Sequence, residues 1–302
     1  MATRRPKPIH QMTDAQFEAM FPDEEACKGY LVCRRWPNGV ICPRCGAVKV
    51  FPVGTMPYKW QCYQCAPDQG YRFSHIAGTI FENTNKPLRQ WFKVVHLMTV
   101  SKKGISSLQV QRQMGFGSYE TALKMTHKIR AAMIEPEKKL GGIVEVDETY
   151  VGGKDQWRHW DKKSGGRGGL ATGKTPVIGA VQRKGNVIAR VLQHVTAQTA
   201  NDFVQEVVSH KVSLLATDDW SGYEKLKKDY PLASVDHSKG QYVIGAIHTN
   251  TIEGFWSIFK RGVVGTFHKV SAKYMPLYVA EFQFRYNNRM NADIFGATIA
   301  MC

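Results

Sequence analysis

Two cysteine pairs, Cys42-Pro-Arg-Cys45 and Cys62-Tyr-Gln-Cys65, stand with 16 residues between them. A two-residue spacer lets both thiolates of a pair face one ion, and the longer spacer suits a hairpin that brings the pairs together. Four thiolates close a tetrahedral site, so Cys42, Cys45, Cys62 and Cys65 are expected to hold one structural Zn²⁺. Cys27, Cys33 and Cys302 lack paired spacing and read as buried or incidental thiols. With four thiolates at hand, His75 reads as a packed or surface residue and not a ligand.

A second chemistry comes from carboxylates. Asp147 is embedded in IVEVDETYV, a run of β-formers where an unpaired buried carboxylate is costly. Asp218 follows the apolar stretch VSLLAT, at a strand end where sites form in such sheets. Glu253 opens the amphipathic stretch TIEGFWSIFKRG. Three carboxylates meeting at a sheet edge repel one another unless a cation neutralises them, and hard oxygen ligands suit Mg²⁺ or Mn²⁺. Each acid has a structural alternative. Asp147 pairs with a Lys or Arg, or Glu148 beside it is the functional acid; Glu145 shares the strand face of Asp147 as a support. Asp218 or Asp219 caps the next helix. Asn250-Thr-Ile-Glu253 resembles a capping box.

The elements that must position these groups follow from periodicity. Residues 1–35 suggest short helices, and residues 36–85 form the cysteine hairpin. Within 86–140, Leu88, Trp91, Phe92, Val95 and Met98 recur at helical spacing, and ISSLQVQRQMG and SYETALKMTHKIRAAM give two further helices. A glycine turn before the third helix gives a helix-turn-helix outline, with Lys124, Lys128 and Arg130 as basic groups on the last helix. Residues 141–302 alternate strands and helices in the order β-β-β-α-β-α-β-α, which is an α/β mixed sheet with helices on its faces. Thr199 is the expected cap of the first of these helices. Residues 152–175, glycine-rich and basic, read as a mobile loop without a P-loop pattern.

Formal charge is +16 over 302 residues, with +11 in residues 1–140 and +5 in residues 141–302. That excess favours a polyanion, because Lys and Arg displace counterions condensed on phosphates, and places the grip in the first half. No apolar run approaches the ~18 residues of a membrane span. No apolar block follows the basic start, so the chain reads as cytoplasmic.

The blocks VEVDETYVGGK, ATDDWSGY, HTNTIEGFWSIFKRGVVGTFHKVS and EFQFRYNNR, in this order behind CPRC and CYQC, resemble an insertion-sequence DDE transposase. The resemblance spans nearly the whole chain and is to the zinc-ribbon-bearing ISXO-like group, related to the Merlin superfamily. It implies an RNase H-like catalytic domain whose acids fall on Asp147, Asp218 and Glu253, with a phosphate-contacting Lys260 seven positions on. It implies two Mg²⁺ (or Mn²⁺) ions, hydrolysis at the element's ends, and strand transfer into target DNA. It also implies that ribbon and helices hold the terminal inverted repeats, a homo-oligomer on double-stranded DNA, and a nucleoid location. A nuclease without strand transfer and a non-catalytic DNA-binding regulator are the competing readings.

Overall fold

The computed structural model describes residues 12–152, 174–218, 220–235 and 248–302; Asp219 and residues 153–173 of the glycine-rich loop lie outside the described residues. Two compact units emerge, one of residues 1–133 with 289–302, the other of residues 134–288. Among the described residues, no helix is long and apolar enough to cross a membrane.

In the first unit, α1 (Asp14–Met20) starts at Thr13, whose hydroxyl accepts the Gln16 N–H while the Gln16 side chain accepts the Thr13 N–H. This reciprocal pair satisfies two amides that a helix start leaves open. Asp23 caps α2 (Glu24–Arg35) in a simpler way. The ribbon is a three-stranded antiparallel sheet of β1 (Phe51–Pro52), β2 (Lys59–Cys62) and β3 (Tyr71–Ser74). Then come α3 (Leu88–Val100), α4 (Ser107–Met114) and α5 (Tyr119–Ala132), the three helices expected from periodicity. Gly115 takes the left-handed conformation that ends α4. Pro87 offers α3 no side-chain cap; Glu24 of α2 accepts the Leu88 and Arg89 N–H groups instead, at 2.8 and 3.1 Å.

Two expectations need correction in this unit. Arg130 of α5 is fully buried and donates to the Ile105 carbonyl, so it is no part of a basic outer face. Lys124 and Lys128 are exposed, the first paired with Glu120 at 2.8 Å. The sheet domain was expected to run on to residue 302, yet the C-terminal helix Ile294–Met301 belongs to the first unit. Its Phe295 ring lies 5.5–6.3 Å from the rings of Phe17, Phe21, Tyr30 and Phe92, an aromatic cluster that draws the end of the chain to its beginning.

The second unit is built on a five-stranded sheet of order β6-β5-β4-β7-β8. The strands are β4 (Ile143–Val151), β5 (Thr175–Gln182), β6 (Val187–Val191), β7 (Leu214–Asp218) and β8 (Leu232–Val235). β4, β5 and β6 form an antiparallel meander, whereas β4, β7 and β8 run parallel. One face carries Val144, Val146, Ile178 and Leu215 and packs on α6 (Ala197–Val207) and on Tyr223 and Leu226 of a 3-10 helix, Ser221–Lys228. Thr196 caps α6, and Thr199, the expected cap, is its capping-box partner three residues on. The other face carries Val177, Val181 and Val187 and packs on α7 (Asn250–Gly262) and α8 (Met275–Asn287). Gln283 and Asn287 of α8 accept the N–H groups of Ala189 and Val187, which covers the otherwise open edge of β6.

Two features fix α7 over β4. Gly179 of β5, paired in register with Asp147, leaves room for the Trp256 ring; a Cβ there would sit 2.7 Å from it. The second is Glu145, fully buried on the α7 side of β4. Its carboxylate accepts the Thr251 and Ile252 N–H groups at 2.8 and 3.0 Å, the Thr251 hydroxyl at 2.8 Å and Arg183 Nε at 2.6 Å. The helix's own cap residue is Thr249, not Asn250, and its side chain makes no capping bond. A strand carboxylate thus caps a helix more than a hundred positions away, answering both its open amides and its positive end. Glu145→Ala would strand Arg183 and these amides and is expected to lower the second unit's stability by about 3 kcal/mol or more in urea unfolding. A loss below about 1 kcal/mol, the worth of one ordinary hydrogen bond, would show that the clamp does not hold the helix.

Candidate metal centres

Cys42 and Cys45 lie on the turn between α2 and β1, Cys62 ends β2, and Cys65 lies on the turn after it. The Cys42 and Cys65 Sγ atoms are 3.6 Å apart and those of Cys45 and Cys62 3.7 Å, with all four within 4.8 Å of one another. These distances exceed a disulfide bond by far and match the edge of a sulfur tetrahedron around zinc, about 3.8 Å for Zn–S bonds of about 2.3 Å. Burial raises the Cys42 thiol, but the backbone N–H groups of Cys45 and Arg44 outweigh it and bring the thiol down to about 7, which favours the thiolate a metal needs. Trp36 and Phe73 seal the cluster from behind. His75 is turned to the Tyr58 ring, 5.5 Å away, and takes no part in the thiol group.

The carboxylates meet at the middle of the five-stranded sheet. In the parallel β4–β7 pair Glu145 lies beside Ala216, so Asp147 and Asp218 come two residues further along each strand, on the α7 side. Glu148 comes from the opposite face. One oxygen from each of Asp147, Glu148 and Asp218 lies within 4.8 Å of the others. Glu148 is held by the Tyr223 hydroxyl, which donates to its Oε1 from the 3-10 helix. Burial, and then the Asp218 charge, push Asp147 up to about 6; Glu253 adds to this, while the Glu148 backbone N–H and Lys260 oppose it. Burial pushes Glu148 up to about 8 against the Tyr223 hydrogen bond, with Asp218 and Asp147 adding their repulsion. Burial and the Glu148 charge hold the Tyr223 hydroxyl protonated well above its ordinary range, so it stays a donor.

Glu253 and Lys260 occupy the exposed side of α7. Glu253 is outside the three-carboxylate group and accepts the Thr249 hydroxyl at 3.0 Å, but its charge is felt at Asp147. The capping-box idea for Glu253 is therefore replaced: the cap comes from Glu145, and Glu253 is turned outward. His248 Nδ1 lies 3.3 Å from Glu145 Oε1, and its carbonyl accepts Arg183 at 2.9 Å, so this histidine belongs to the clamp. Sequence reasoning weighed Glu148 only as a substitute for Asp147 and passed over Tyr223, whose only local sign is its place five residues beyond Asp218. Three crowded carboxylates, with the proton affinity of Asp147 and Glu148 raised and oxygen-only donors, are what a Mg²⁺ or Mn²⁺ site offers before its cation is counted.

Residues 22–67 match the family described as a transposase zinc-ribbon domain, and residues 139–287 match the ISXO2-like transposase domain. A protein in the transposable element ISH50 of Halobacterium salinarum is 30% identical over 275 residues, covering 88% of this chain and 91% of that one. Among solved structures, a chain in the cryoEM structure of a simian T-cell lymphotropic virus intasome with PP2A regulatory subunit B56 gamma aligns with a TM-score of 0.29 and 14% identity. The alignment covers 64% of this chain and 65% of that one, just under two thirds of its length. The ribbon cysteines, the mixed RNase H-like sheet and a relative matched along almost its full length agree, and the chain belongs to the ISXO2-like DDE transposases with an amino-terminal zinc ribbon.

Proposed function

We propose that this protein is a DNA transposase that binds the terminal inverted repeats of its own insertion sequence, cleaves phosphodiester bonds there and transfers the freed ends into target DNA. The observation that carries the reading is the convergence of Asp147 and Asp218 at neighbouring parallel strands, with Glu148 in reach and Glu253 and Lys260 alongside on α7. Asp147 and Asp218 would hold the divalent ions, and Glu253, which accepts the Thr249 hydroxyl, would be the third acidic ligand. Bound Mg²⁺ supplies activation of the attacking oxygen and stabilisation of the departing one. Lys260 holds a phosphate next to the carboxylates, as a fixed positive charge on the same helix face as Glu253. The sheet face sealed by Trp256 and Phe259 keeps these groups on a rigid base.

The ribbon and α3–α5 grip the element's end, in keeping with the +11 charge of residues 1–140. The exposed Arg112 faces the phosphates, Lys124 and Lys128 reach them by exchanging Glu120 and the Ile80 carbonyl for phosphate oxygens, and the N-terminal turn of α5 around Tyr119 meets base edges. Joining two ends calls for two copies of the chain on DNA. Its place of action is the nucleoid in the cytoplasm.

Asp147→Asn is expected to abolish Mg²⁺-dependent cleavage of an element-end duplex while leaving its binding intact, and Glu253→Gln to lose most of the cleavage. Cleavage retained by Asp147→Asn would sink the assignment, and cleavage without joining in the unaltered chain would favour a nuclease. Cys42→Ser should release the zinc and weaken binding to the end, as measured by metal content and gel shift; unchanged zinc would remove the ribbon from the account. The raised carboxyls also fix a pH response. The folded chain keeps protons on Asp147 to about 6 and on Glu148 to about 8 that the unfolded chain gives up near about 4, so metal-free stability falls as pH rises through this window. Mg²⁺ competes with those protons. Its gain in melting temperature should be larger at pH 8 than at pH 6, and an equal gain at both would contradict the site.

A further inference from the structure

The helix that carries Glu253 and Lys260 does not stop where its chemistry stops. Its inner side, Ile252, Phe255, Trp256, Phe259 and Val263, is buried. Its outer side exposes Glu253, Gly254, Ser257, Lys260, Arg261 and Val264 in one stripe. From Val263 to Phe267 the helix widens into a π turn, a rare form that collects at functional sites. Both ends of that turn are pinned: Val263 is buried, and the Phe267 ring lies 4.7 Å from Tyr278 and 6.4 Å from Phe282 of α8. Between the pins Val264 is pushed outward and is 68% exposed. His268, directly after, takes φ +60°, a strained conformation for a side-chain-bearing residue.

Two glycines on this stripe have no internal reason to be glycine. Gly254 and Gly265 keep negative φ, and a Cβ on either would meet no atom within 4 Å. A helix-interior glycine costs roughly 0.5–1 kcal/mol, so two of them beside open space suit the close approach of something outside the fold. The charge around them says what. Glu253 is the one acid in residues 250–275, against Lys260, Arg261, Lys269 and Lys273, all exposed.

We infer that this stripe is the track of a DNA strand leading away from the carboxylate centre, with phosphates running over Gly254 and Gly265 and Val264 inserted as an apolar wedge against a base step. Arg261 and Lys269 flank the wedge and take the phosphates on either side of it. Aliphatic wedges backed by cations are how proteins unstack and bend a duplex. The distance from Glu253 to Val264, eleven residues at about 1.5 Å, corresponds to about five nucleotides of a stacked strand at about 3.4 Å each. The wedge therefore meets the bases about that far from the reacting phosphate. This rests on the reading of Asp147, Asp218 and Glu253 as the cleaving centre.

The test places 2-aminopurine at successive positions on both sides of the cleavage point in a duplex bearing the end of the element that carries this reading frame. The full-length Asp147→Asn chain, with Mg²⁺, is expected to raise its fluorescence on binding at one or two neighbouring positions, and Val264→Ser added to it to lose most of that rise. Arg261→Gln with Lys269→Gln should lower the slope of log affinity against log salt by about 2. Val264 and the two cations are exposed, so these variants fold. No rise in the unaltered wedge, or the same rise with Val264→Ser, overturns the inference while leaving cleavage by the native chain untouched. A fall in sedimentation mass of the DNA-free chain on Val264→Ser assigns the surface to a second copy and overturns it too. Cleavage surviving Asp147→Asn, by contrast, refutes the catalytic reading and not the wedge.

Discussion

A buried carboxylate holds the second unit's chemistry together. Glu145 sits two residues before Asp147 on the same strand face and grips the first turn of the helix that carries Glu253 and Lys260. A carboxyl group with no exposed surface is tolerated only when its oxygens are answered, and here Arg183, two backbone amides and a hydroxyl answer them. The result is geometric. Strand and helix cannot slide without breaking that set, so the spacing between the sheet acids and the helix acid is held by a bond network outside the site itself. Gly179 adds the close approach, letting the Trp256 ring rest on the strand next to Asp147.

Against this rigid frame the site stores repulsion. Asp147, Glu148 and Asp218 are close enough that burial and mutual charge raise the first two, and Tyr223 secures Glu148 from the far face of the sheet. The same crowding that weakens the fold is what a divalent cation bound there would relieve, since its charge would answer both the repulsion and the proton affinity. Electrostatic pre-organisation of this kind costs stability and returns it on binding.

The first unit follows a similar logic with different ligands. The thiol cluster closes the ribbon, Glu24 caps a helix begun by a proline that has no side-chain acceptor, and Phe295 brings the chain's last helix into the aromatic core of the first helices. The charge of this unit's outer surface is also less than its sequence suggests, because Arg130 is spent inside.

Local pattern was enough for much of this. Cysteine spacing announced the ribbon, periodicity gave α3, α4, α5 and the succession of strands and helices after them, and Asp147 within its strand, Asp218 at a strand end and Glu253 at a helix start stood out as candidate acids. Those signals are carried by neighbours within a few residues, which is the range over which spacing and period act. What the tertiary structure alone decided were the pairings across long separations. Glu145 caps α7 in place of the local box at Asn250 to Glu253, Tyr223 joins Glu148 from 75 positions away, and Ile294–Met301 crosses to the first unit. The stretch HTNTIEGFWSIFKRG itself contains both parts: its inward and outward faces could be read from its period, whereas the acceptor that caps its first turn lies on β4, more than a hundred positions away, where only the folded sheet brings it.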